Sequence, residues 1–393
     1  MGKTGDKTVS KRIVLFVPGF DPNPSRRYRE LFRKEAPKQA QISDYDVEMM
    51  GMPGQPGAWR TQADHDGLKT ETRFEVLNWA DIVRDNMRGG LIGAYIALLR
   101  AFWVFASTGA MFRLMRLRKG PIIAGFYPVF ILISALVLAI GLGAAVGSTI
   151  AAQSLWAGWA VGLGVGLLVL KVLQWSDNRH FALYLMHDLA FASSARGAWP
   201  SELSGRIDAF GERISAAVGE GADEVLVVGH SSGTQIAVSA LSRALKYHQG
   251  VPVSLLTLGQ TIPMQSCLPD AEGLRADLLH LSTSNDVTWV DVSAPGDGVS
   301  FALCDPVAVS GLTPLHKRGP LVLSAAFRET LSEAARKALR WRFFRTHIQY
   351  LCAFDQPRGY DYFAITTGPS TLADRYLGRA PSPSRIETPA RAA

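Results

Sequence analysis

Residues 121–150 of this 393-residue chain carry no charged side chain, and residues 154–170 carry none either. A helix crosses a hydrocarbon core about 30 Å thick with roughly 20 apolar residues. The first segment is long enough and the second nearly so, with Lys171 able to snorkel to the interface. Ala135, Ala139, Gly143 and Gly147 recur every four residues in the first segment, and Gly158, Gly162 and Gly166 do so in the second. Matching stripes of small residues let two helix backbones approach closely, as helices do in lipid. The pair therefore reads as a hairpin, with spans at about 121–150 and 154–173. Arg113, Arg116, Arg118 and Lys119 precede it, Lys171 and Arg179 close it, and the connecting turn is neutral. Positive charge belongs on the cytoplasmic side, which puts both flanks there and a short turn outside, near Trp156 and Trp159. A buried hairpin in a soluble core is the competing reading, and it suits the second segment better than the first.

Leu91–Met115, just before the hairpin, is also long and apolar but carries Arg100 and Arg113. It reads as an interfacial amphipathic helix rather than a span. Hydrophobic residues make up 48% of the chain, more than a wholly soluble protein needs. The net charge of +7 gathers in the N-terminal arm, in Arg113–Lys119 and in Arg336–Arg345. No nucleic-acid motif accompanies it, so the basicity points to a lipid bilayer surface and not to nucleic acid; the third run fits an ordinary solvated face equally well. Cys267, Cys304 and Cys352 have no short spacing, which argues for neither a disulfide framework nor a zinc site and fits a reducing compartment. Met1–Arg12 is polar and basic, and the apolar run after it stops at Pro18, too soon for the core of a secretory signal. The chain is expected to begin in the cytosol.

On either side of the hairpin, strand and helix patterns alternate, as in an α/β fold. Ile13–Val17 reads as a buried strand, Ser25–Ala36 as a helix, and Asp46–Met50 and Phe74–Trp79 as strands. Beyond Arg179, Phe181–Ser194 and Ser204–Val218 read as helices, and Val253–Leu258, Leu278–Ser282 and Val287–Val292 as strands. The tail from Pro381, rich in Pro, Ser, Ala and Arg, reads as disordered. The expected layout is a flexible arm at 1–11, a first core block at 12–81, an inserted helical region at 82–178, a second core block at 179–378, and a tail at 379–393.

Within the second block, Val225–Val228 is an all-apolar run, as in a central strand buried on both faces. It leads into Gly229-His-Ser-Ser-Gly233, then into Ile236, Val238, Leu241 and Leu245 at roughly helical spacing. G-x-S-x-G alone arises by chance in about one such chain in four, so the context carries the reading. Strand, sharp turn and helix, with Ser231 exposed on the strained turn, form a nucleophile elbow. A serine hydroxyl is a weak nucleophile until a His takes its proton, and that His needs a carboxylate to fix its tautomer. With the acid after the nucleophile and the base last, the acids to weigh are Asp286, Asp291, Asp297 and Asp305. Asp286 precedes a strand and Asp291 lies within it, whereas Asp297 occupies the Gly/Pro turn after it and can reach across to a His. A turn Asp serving local N–H groups is the alternative. Of the histidines that follow, His248 ends the elbow helix, His280 falls in a strand pattern, and His316 sits in a basic, turn-like segment. His347 follows Asp297 with room for intervening structure and is favoured over His316. In the loop Val17-Pro-Gly-Phe20, Pro18 has no N–H, so an oxyanion donor from this loop would have to be Gly19 or Phe20, with Phe20 preferred; a plain strand-ending turn is the alternative.

Together the Gly229–Gly233 elbow, the Val17–Phe20 loop, the Asp297 turn and His347 resemble the α/β-hydrolase superfamily, over roughly residues 10–80 and 180–370. Trp289…Pro295-Gly-Asp-Gly-Val-Ser300 and His347-x-x-Tyr350 are similar to patterns in membrane-associated bacterial lipase-like proteins. The resemblance implies a mostly parallel sheet with helices on both faces, interrupted here by an inserted transmembrane hairpin. It also implies a Ser231–His347–Asp297 triad, oxyanion donors at Phe20 and Ser232, an acyl-enzyme, and no metal or other cofactor. A His-Gly-Gly-Gly loop is missing, which makes the oxyanion hole a departure from the pattern. The expected protein is an esterase- or lipase-like serine hydrolase in the bacterial inner (cytoplasmic) membrane, facing the cytoplasm and acting on a small-molecule or lipid acyl ester. An acyltransferase on the same triad, or a non-catalytic membrane scaffold on the same fold, are the alternatives.

Overall fold

A computed structural model describes residues 8–246 and 252–390. His248, residues 1–7 of the expected arm and residues 391–393 of the expected tail lie outside them. In chain order the first block runs β1 (Lys11–Val17), α1 (Pro24–Ser43), β2 (Asp46–Gly51), β3 (Ala58–His65) and β4 (Leu68–Val76). A helical region follows: α2 (Ala80–Met87), α3 (Gly90–Ser107), α4 (Ala110–Leu117), α5 (Lys119–Ala151), α6 (Leu155–Trp175), α7 (Asp177–His180) and α8 (Ala182–Ala192). Alternation resumes with α9 (Ser201–Val218), β5 (Glu224–His230), α10 (Gly233–Ala244), β6 (Val253–Leu258), α11 (Ile262–Ser266), α12 (Glu272–Thr283), β7 (Val287–Ser293) and β8 (Leu321–Ser324).

The strands form one mixed sheet in the order β2-β3-β4-β1-β5-β6-β7-β8. β2, β3 and β4 make an antiparallel meander, and every pairing from β4 across to β8 is parallel. Parallel strands need cover on both faces, and their alternating side chains supply two cores. Ile13, Leu15 and Val17 join one with α9, α10 and α12, while Val14 and Phe16 join the other with α1. An ion pair is buried in the sheet: Arg12 Nε lies 2.6 Å from Glu224 Oε2, across the β1–β5 pair. Its other nitrogens donate to the carbonyls of Gly368 and Ser370, and Glu224 Oε1 accepts from Ser254 Oγ and Leu372 N–H. With every nitrogen and oxygen of the two side chains partnered, the buried pair ties three strands to the C-terminal segment.

Several expectations change. Leu278–Ser282 is helical, within α12, because Leu274, Leu278 and Leu281 share a helix face against the core. β3 and β8 were not anticipated. Leu91–Met115 breaks at Gly109, with φ 66°, into α3 and α4. The tail is tied down as far as Ala390: Ser382 N–H donates to Val322, Ile386 bridges Cys304, and Ala390 N–H donates to Val309. The arm is likewise anchored where it is described, since Val9 N–H donates to Pro369 and Ser10 to Asp223.

α3, α5 and α6 are each long and apolar enough, by length and composition, to cross a membrane; α3 is the addition to the expected hairpin. α5 and α6 pack antiparallel along their glycine stripes, where a methyl group on Gly143 would fall 2.6 Å from the carbonyl oxygen of Gly162. α6 buries only Gly158, and large apolar side chains such as Phe130, Leu138, Trp159 and Leu167 stand exposed.

Glu224→Ala leaves the Arg12 guanidinium in the sheet without its carboxylate. It is expected to lower the unfolding free energy by about 3–5 kcal/mol, read as an earlier midpoint in urea denaturation.

Candidate active site

The strands place the site before any side chain does. From β1 the chain turns to α1 on one face, and from β5 it turns to α10 on the other. Neighbouring parallel strands whose connections leave to opposite sides open a crevice at their carboxyl ends, where ligands bind in such sheets. The loop 18–23 and the Gly229–Gly233 turn both end there.

Ser231 takes φ 56°, a left-handed backbone rare for a residue with a Cβ. Two contacts hold it: its N–H donates to Leu258 O at 3.0 Å, extending the sheet, and its carbonyl accepts from Thr234 N–H and Oγ1. Gly233 is required, because a methyl group there would fall 2.4 Å from the carbonyl oxygens of Val17 and Pro18. The turn thus presses against the end of β1 and lifts Ser231 into the crevice.

Asp297 lies in the turn after β7, its N–H donating to Ala294 O. Its Oδ1 accepts from Val299 N–H at 3.0 Å, and its Oδ2 accepts from His347 Nδ1 at 2.7 Å and from Tyr350 Oη at 3.0 Å. Burial pushes this carboxyl up, but the charge and hydrogen bond of His347, with the Val299 N–H, outweigh it and hold Asp297 below its ordinary value. His347 sits in the short helix Phe343–Ile348. With Nδ1 given to Asp297, its Nε2 is left buried and without a hydrogen bond among the described residues. Ser231 and His347 line one cavity of about 650 Å³. No hydrogen bond joins the two side chains.

The other candidates fall elsewhere. Asp291 points into the sheet, where Thr257 Oγ1 donates to it at 2.6 Å and burial pushes it up to about 8. Asp305 caps the helix Pro306–Val309 and pairs with Lys317, and Asp286 precedes β7. His280 lies on α12, bonded to Ser242, and His316 is exposed on the loop before β8.

The expected oxyanion donor at Phe20 is otherwise engaged: its N–H donates to Ser232 Oγ at 2.8 Å. The reason is the same close approach of Gly233 to β1, which brings the neighbouring Ser232 hydroxyl under Phe20. Ser232 itself precedes the first turn of α10, where the helix leaves N–H groups unsatisfied.

Three residues at the site had no assigned role in the sequence. His230 Nε2 donates to the carbonyl of His347 at 3.0 Å, and burial, followed by the charge of His347, pushes its imidazole down to about 3. It stays neutral and steadies the segment that carries His347. Tyr350, three residues after His347, accepts from Ala294 N–H and donates to Asp297, so one phenol joins the Asp297 turn to the segment that follows the short helix. Asp188 on α8, just after the inserted region, lines the cavity; burial pushes it up to about 7, against the charge of His347. Among the described residues no cluster of His, Cys, Asp and Glu is placed to hold a metal.

No family model, no curated protein and no solved structure matches this chain.

Asp188 keeps in the folded protein a proton that the unfolded chain releases near pH 4, so ionising it costs stability progressively as pH rises to about 7. Asp188→Asn removes that cost. Its gain in melting temperature over the native chain is expected to grow between pH 4 and pH 7 and to level off above, measured by thermal unfolding across that range.

Proposed function

We propose that this protein is a serine hydrolase of the α/β-hydrolase kind, anchored in the bacterial cytoplasmic membrane by α5 and α6, with the site on the cytoplasmic side. The observation that carries the reading is the Asp297–His347 pair, with its unpartnered Nε2 in the same cavity as a left-handed Ser231. The position of that cavity at the carboxyl ends of β1 and β5 adds support, as does the basic flank Arg113–Lys119 ahead of α5.

In this mechanism Ser231 Oγ attacks the carbonyl carbon of an acyl ester while His347 Nε2 takes the serine proton. Asp297 fixes the tautomer of His347 and stabilises the imidazolium. The Ser232 N–H, at the positive end of α10, donates to the developing oxyanion. The Phe20 N–H holds the Ser232 hydroxyl and so positions that donor. The C–O bond to the leaving group then breaks, the leaving alkoxide takes the proton from His347, and the acyl group remains on Ser231. Water, deprotonated by His347, attacks the acyl-enzyme and releases the carboxylic acid.

Hydrolysis of p-nitrophenyl esters by the full chain in detergent tests this reading. Ser231→Ala, His347→Ala and Asp297→Asn are each expected to lower kcat by about 10⁴-fold. Tyr350→Phe, which leaves Asp297 its His347 bond, is expected to cost about tenfold. Hydrolysis that survives in Ser231→Ala contradicts the assignment.

A further inference from the structure

The cavity that holds Ser231 and His347 has a wall that ester hydrolysis alone does not call for. Gly120, Ile123, Ala124 and Tyr127, in the first turns of α5, line it. The rest of α5 continues as an apolar helix to Ala151. Ile123 is 66% exposed, so at this wall the cavity lining is also outer surface, continuous with the apolar face of α5. The same cavity is lined by Trp341-Arg342-Phe343-Phe344-Arg345, just ahead of His347. Trp341 is 75% exposed and Phe343 55%, and Trp341 holds a strained φ of 66°. Arg342 and Arg345 are exposed, and neither has a carboxylate partner among the described residues; the same holds for Arg179, which also lines the cavity.

Large aromatic side chains exposed among free guanidinium groups suit the headgroup level of a bilayer, where rings bridge apolar and wet zones and cations meet anionic lipid. The two sides of the mouth ask for different chemistry. The α5 side is apolar and leads into a segment long enough to cross a membrane. The loop side is cationic and fits a phosphate, since arginine forks pair with its oxygens. A soluble anionic ester has no use for the apolar wall, and a neutral ester has none for three unpaired arginines.

We infer that the substrate is an anionic phospholipid entering sideways from the leaflet. Its acyl chain lies against Ile123 and Tyr127, its phosphate meets Arg342 and Arg345, and its ester carbonyl reaches Ser231. This rests on the serine-hydrolase reading of the same site and names its substrate class. Ser231 takes the acyl group, the lysolipid leaves with the proton from His347, and water then releases the fatty acid, so the products are a lysolipid and a fatty acid.

The test uses the full chain reconstituted in vesicles of phosphatidylcholine or phosphatidylglycerol, with released fatty acid measured by mass spectrometry and a soluble p-nitrophenyl ester assayed in the same samples. Phosphatidylglycerol is expected to be cleaved at least about tenfold faster than phosphatidylcholine. Arg342→Gln with Arg345→Gln is expected to bring that ratio close to one, as is raised salt. Equal rates on the two lipids, an unchanged ratio in the double variant, or no lipid cleavage by protein that still cleaves the soluble ester, each overturn the inference. Inhibition of soluble-ester cleavage by millimolar inorganic phosphate, without lipid preference, overturns it in favour of a soluble phosphate-bearing ester. Cleavage of neither the lipids nor the soluble ester by the native chain sinks the hydrolase reading itself.

Discussion

Everything at the site depends on how closely the turn after β5 approaches the end of β1. Gly233 packs where even a methyl group would meet the carbonyl oxygens of Val17 and Pro18. That contact forces Ser231 into its left-handed backbone, sets Ser232 at the start of α10, and puts the Ser232 hydroxyl on the Phe20 N–H. The parallel sheet makes the approach sustainable. β1 is paired on both sides, to β4 and β5, and the buried Arg12–Glu224 pair holds β1 and β5 together at their other ends. A strained turn persists only where its surroundings over-determine it.

The proposed base is positioned by a second, independent set of contacts. Asp297 arrives from the turn after β7 and His347 from a short helix late in the chain, and Tyr350 bonds to both the turn backbone and the carboxylate. His230 then joins the two sets, since it belongs to the elbow and donates to the carbonyl of His347. Burial keeps His230 neutral, so it holds that segment without placing a positive charge beside the proposed base.

Much of this was legible in the sequence because it is local. The elbow is a strand, a turn and a helix read in one stretch, and the Asp297 turn announces itself by Pro295, Gly296 and Gly298. The two apolar helices of the hairpin show as absent charge. What was not legible is set by partners far away in the chain. Leu278–Ser282 looks like a strand in isolation, and only its packing with Leu274 against the core makes it helical. β3, with its polar alternation, becomes a strand by pairing between β2 and β4. Phe20 looked like a free donor because nothing in the loop shows that Ser232, 212 residues on, would reach it. The tail looked disordered by composition, yet Ser382, Ile386 and Ala390 find backbone partners on the body. α5 belongs to both kinds of feature: its apolar length is plain in the sequence, whereas its first turns walling the cavity come only from packing.

The central claim is that Ser231 is a nucleophile activated by His347, and covalent capture addresses it most directly. The full chain is treated with a fluorophosphonate, and the modified peptide is located by mass spectrometry, beside His347→Ala. The account predicts one phosphonylated residue, Ser231, at full occupancy in the native chain and at a small fraction of it without His347. No adduct in folded protein, an adduct on another serine, or equal labelling without His347 would contradict it.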